Sequence, residues 1–119
     1  MNRSKVAPGP KVARRQWPPG ARALDALIAE AIVDAYGDDE QRVGFLTMLE
    51  ERLEMPFEVQ ILGTRAKVER IDVIDDQILV ICRSGRHRQA IPILELPLPD
   101  PRPNGAEWIK AYRRWVRRG

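Results

Sequence analysis

Residues 49–62 read LEERLEMPFEVQIL. The hydrophobic period changes inside this stretch. Up to Leu53 the apolar residues fall three and four apart, the spacing of one helical face. From Phe57 they alternate through Val59 and Ile61, the spacing of a half-buried strand. Pro56 stands between the two patterns and supplies no amide hydrogen for either. A helix therefore ends here and a sheet begins, which predicts an α+β fold.

Upstream, Val43, Leu46, Leu49 and Leu53 predict one apolar face on a helix from about Asp39 to Glu54. Before it, Leu24, Leu27, Ile28, Ala31, Ile32 and Ala35 make a second stripe between Ala21 and Tyr36. Pro18 and Pro19 limit that helix and Gly37 is its expected stop. The short connection predicts an N-terminal helical hairpin over about residues 21–55. Residues 1–20 are basic, free of acids and rich in proline and glycine. They are expected to form a disordered arm ahead of a single domain at 21–119.

Downstream come FEVQILG (57–63), AKVERIDVI (66–74), QILVICR (77–83) and RQAIPIL (88–94). Turn signals at Gly63, Asp75-Asp76 and Ser84-Gly85 separate these β-branched runs. Val68, Ile71 and Val73 break strict alternation, which predicts a bulge near Arg70. Short strands with tight turns predict a small antiparallel SH3-like β-barrel over about 57–96. PLPDPRP (97–103) is a polyproline-like connector. A C-terminal helix then follows over about 104–117, with Asn104 and Glu107 spaced as a capping box. Trp108, Ile109, Tyr112, Trp115 and Val116 form its apolar face, and this helix is expected to cover part of the barrel.

At 119 residues the chain supports one modest core. It has no apolar run long enough to span a membrane. Its basic start lacks the apolar segment of a secretory signal. The single cysteine, Cys82, lies in an apolar run and reads as a buried reduced thiol, so a cytoplasmic location is expected. The net charge of +3 conceals an acidic middle, residues 21–60, between two basic ends.

Signatures of catalysis are missing: one histidine, His87, sits in a basic hairpin without a nucleophile beside it. There is no phosphate loop, CxxC or HExxH. A non-enzymatic protein is expected. The sharpest chemical signal is DAYGDDEQ (34–41). Asp34, Asp38, Asp39 and Glu40 straddle a helix–loop–helix corner, where carboxylate oxygens suit calcium, a hard cation that takes six to eight oxygens. The segment is not an EF-hand loop, since counting from Asp34 places Asp39 where the glycine belongs and Phe45 where the glutamate belongs. The competing reading is structural. Asp38 and Gln41 are an acceptable capping pair, and acids in a first turn complement the helix dipole.

The basic groups give an alternative function. Arg83, Arg86 and Arg88 of the hairpin, with Arg113, Arg114 and Arg117 of the last helix, suit nucleic acid or an acidic protein partner.

IVDAYGDDEQ (32–41), LEERLEMPFEVQIL (49–62) and RQAIPILEL (88–96), in that order, resemble a family of small bacterial calcium-binding proteins best known from cyanobacteria. Met55-Pro56-Phe57 matches that family's Phe-Pro-Phe step, and Ala90-Ile91-Pro92-Ile93 its Ala-Val-Pro-Leu step. The resemblance covers roughly residues 28–96. It implies helices with an SH3-like barrel and a calcium buffer or sensor that binds the ion through clustered acids. By position those acids are Asp34, Asp38, Asp39 and Glu40, with Glu50 and Glu51 joining from before the Pro-Phe step. The basic arm and the arginine-rich last helix lie outside the resemblance.

Overall fold

The computed structural model describes residues 17–118. Residues 1–16 of the expected arm lie outside the described residues. The elements run α1 (Ala21–Ala31), α2 (Gly37–Arg52), β1 (Phe57–Ile61), β2 (Thr64–Ile74), β3 (Gln77–Ser84), β4 (His87–Pro92) and α3 (Ala106–Arg117), with a 3-10 turn at Ile93–Glu95 after β4. The fold is α+β. The chain divides into two compact units: the helices, up to Leu53 and from Asn104 onward, and the sheet, from Glu54 to Pro103.

In the helical unit α3 packs against both α1 and α2. The last helix is therefore a full member of this unit's core. Trp108, Ile109, Tyr112 and Trp115 are all buried, as the apolar face of α3 predicts. Phe45 of α2 meets Tyr112 edge-on, with ring centroids 5.5 Å apart, and lies tilted against Trp115 at 5.3 Å. Leu27 and Ala31 close the core from α1. Burial of these four large aromatics helps to hold the short helices together, since helices of this length are marginal alone.

The helical boundaries and faces differ from the expected ones in three ways. α1 stops at Ala31 instead of Tyr36, and residues 32–34 form a turn. On α2 the inward residues are Phe45 and Leu49, whereas Val43 is 59% exposed. The stripe follows four-residue steps through Phe45, Leu49 and Leu53, which places Val43 on the outer side. Finally, α3 begins at Ala106 with Gly105, not Asn104, in the cap position. Gly105 precedes the helix at φ +87°, and a Cβ there would stand 2.0 Å from the carbonyl oxygen of Arg52. Only glycine satisfies both the left-handed backbone and the close approach.

The sheet unit is a four-stranded antiparallel meander in the order β1-β2-β3-β4. It is not closed, so the expected SH3-like barrel is corrected to an open sheet. Closure requires the outer strands to pair. Here β1 has five residues, and β4 ends at Pro92, which has no amide hydrogen to donate. The predicted bulge is present as a register shift between Val68 and Arg70. Val59, Val68, Ile71, Ile91 and Ile93 are buried, as is all of β3 from Ile78 to Cys82. Among the described residues no helix is long and apolar enough to cross a membrane.

Candidate metal centre

The corner between α1 and α2 carries four of the six candidate ligands. Asp34 lies in the connecting turn at φ +61°, a conformation that aspartate tolerates better than most side chains. Gly37, at φ +84°, opens α2. Asp38, Asp39 and Glu40 occupy the first turn of that helix. All four acids are exposed.

Three of them already hold protein partners. Glu40 Oε1 accepts a hydrogen bond from the backbone N–H of Tyr36 at 2.8 Å, which satisfies a donor at the helix start. Asp39 Oδ1 accepts from Arg42 Nη1 at 3.3 Å, one helical turn along. Asp38 Oδ1 accepts from Arg118 Nη2 at 2.7 Å. Each contact uses one oxygen, so Oδ2 of Asp38, Oδ2 of Asp39 and Oε2 of Glu40 take no part in these bonds. The capping reading is correct in kind, since these acids do start a helix. The pair differs from the expected one. Glu40 closes the cap, while Gln41 Oε1 accepts from Trp115 Nε1 at 2.9 Å.

Glu50 and Glu51 lie at the opposite end of α2, also exposed. At about 1.5 Å of rise per residue, Glu50 stands roughly 15 Å along the axis from Glu40. One ion cannot take ligands from both ends, so this pair does not join the corner acids. Among the described residues, no three of His, Cys, Asp and Glu stand together as a ready cage for a metal ion. The donor chemistry at the corner suits calcium. Convergence on an ion would require the exposed side chains to change rotamer.

A comparison with known families bears on the ion. Residues 25–116 match the model of a family described as calcium binding. The chain belongs to this calcium-binding family. The matched span includes the corner, both acidic groups on α2, the sheet and most of α3. No curated protein and no solved structure matches the chain.

Two contacts of the corner acids were missed in reading the sequence. Arg118 is eighty positions from Asp38 and carries no local signal of the pairing. Its guanidinium also lies 4.3 Å from the centroid of the Trp115 ring. Arg42, by contrast, follows Asp39 by three positions, a spacing that could have shown the pair.

The basic groups of the alternative reading are divided between the units. In the sheet, Arg83 and Arg88 both face Glu69, at 2.8 and 3.6 Å. Glu69 has a lowered pKa, chiefly through the Arg83 hydrogen bond. This carboxylate offsets the hairpin's positive field. In the helices, Arg114 Nε donates to Asp25 Oδ1 at 2.8 Å. That bond lowers the Asp25 pKa and raises that of Arg114.

Proposed function

We propose that this protein is a non-enzymatic calcium buffer or sensor that binds the ion at the α1–α2 corner through Asp34, Asp38, Asp39 and Glu40. The observation that carries the reading is the family match over residues 25–116, which contains all four carboxylates. The oxygens not used in structural contacts face solvent and are available to a cation. Calcium tolerates irregular shells and completes them with water. An open, rim-like site of this kind suits the weak end of the calcium range, around 10⁻⁴–10⁻³ M.

Arg118 is the competitor built into this site. Its guanidinium occupies Asp38, so calcium must share or displace that contact. Exposed ion pairs contribute up to about 1 kcal/mol, so Arg118→Gln should tighten calcium binding by up to about fivefold. Calorimetric titration of the variant against the native chain measures this. Weaker binding in Arg118→Gln would remove Asp38 from the ligand set. Glu50 and Glu51 form a separate acidic patch in this account. Glu50→Gln with Glu51→Gln should leave the corner's affinity unchanged within about twofold.

A further inference from the structure

A groove of about 610 Å³ runs between α1 and α3. Its volume falls within the range of ligand-binding clefts, about 300–1,000 Å³. Pro18, Leu24 and Ile28 give it apolar walls, and Lys110, Arg113 and Arg117 line it with positive charge. Asp25 is the single acid in the lining, and it is engaged by Arg114. The helix dipole accounts for cations in the last turn of α3, where Arg114 and Arg117 lie. It does not account for Lys110, which sits a full turn earlier. Arg113 is half-buried, and its pKa is lowered by burial and then by the neighbouring Arg117. Lys110 and Arg117 add positive charge along the same groove, a field that favours an anionic occupant.

We propose that this groove is a docking site for an acidic segment of a partner protein, with Lys110 and Arg117 taking its carboxylates and Leu24 and Ile28 its apolar side chains. The walls decide between partner classes. Nucleic acid binding as single strands uses exposed aromatic faces for stacking. The one aromatic in the groove lining, Trp115, is 2% exposed, with its face against Arg118 and its indole N–H given to Gln41. Aliphatic walls beside fixed cations instead match a segment of Glu or Asp interspersed with Leu. Residues 1–16 of the chain itself carry Arg3, Lys5, Lys11, Arg14 and Arg15 and no acid, so their charge does not suit them to fill the groove.

The test is fluorescence anisotropy with the full chain and three labelled probes of equal length. These are a peptide of alternating Glu and Leu, the same peptide with Ser for Leu, and single-stranded DNA. The Glu-Leu peptide should bind most tightly. Lys110→Glu with Arg117→Glu should weaken it about tenfold, and Ile28→Ser about threefold. Arg86→Glu, in the β3–β4 turn, should change nothing. If a charge reversal unfolds the chain, amide shifts of the native protein with the Glu-Leu peptide replace it, and they should concentrate on α1 and the last two turns of α3. Equal affinity for both peptides, tighter binding of DNA, or shifts centred on the β3–β4 hairpin would each overturn the proposal.

Discussion

Gly105 and Gly44 are the residues at which this fold admits least change. A Cβ at Gly105 would meet the Arg52 carbonyl on a backbone already at φ +87°, and one at Gly44 would stand 2.1 Å from the Ala31 carbonyl oxygen. Gly105→Ala should cost at least about 2 kcal/mol. Gly44→Ala should cost about 1–3 kcal/mol. Urea denaturation of each variant measures both, and a loss below about 0.5 kcal/mol at Gly105 would mean that the end of α2 does not hold the start of α3 at that distance. Neither glycine was legible in the sequence. Their constraint comes from backbone segments about 13 and 53 positions away, while local spacing at 104–107 pointed to an asparagine cap. The acids at 34–40 were legible as a helix start, because that signal is local. Their arginine partner at 118 was not, because only packing brings it there.

At the scale of elements, the turns were the most readable feature. Leu62-Gly63 and Asp75-Asp76 join their strands as two-residue loops with both residues at positive φ, the geometry that matches strand twist. Asp-Asp announces such a turn, whereas Leu62 does not, and it sits fully exposed at φ +51°. Leu62→Asn should therefore stabilise the protein by about 0.5–1 kcal/mol, read as a raised denaturation midpoint. The bulge before Arg70 was legible because it breaks alternation; the open edge of the sheet was not, because alternation is identical in open and closed sheets. Glu69, in that bulge, gives a pH test. Its folded pKa is lowered by Arg83, so its contribution is present above the unfolded value of about 4.3 and is lost as pH falls through the lower folded value. The stability difference between native chain and Glu69→Gln should shrink between pH 6 and pH 3; a constant difference would contradict the pairing.

For the whole molecule, the order of helices, strands and last helix was readable from changes of period, and the α+β class followed. The division into a helical unit completed by α3 and a separate sheet unit was not, because the returning aromatic face at 108–116 is equally suited to a sheet or to helices. Charge was readable only as totals. The fold assigns part of the basic end to acids of the helical unit, and this leaves the corner carboxylates engaged but not enclosed. The central claim is that calcium binds at that corner. Calcium titration followed by amide shifts and calorimetry tests it most directly. Saturable shifts should centre on Asp34 and Asp38–Glu40 at up to millimolar calcium, weakened at least about tenfold in Asp38→Asn with Asp39→Asn. Silence at these amides, or shifts confined to Asp72–Asp76 of the sheet, would contradict the account.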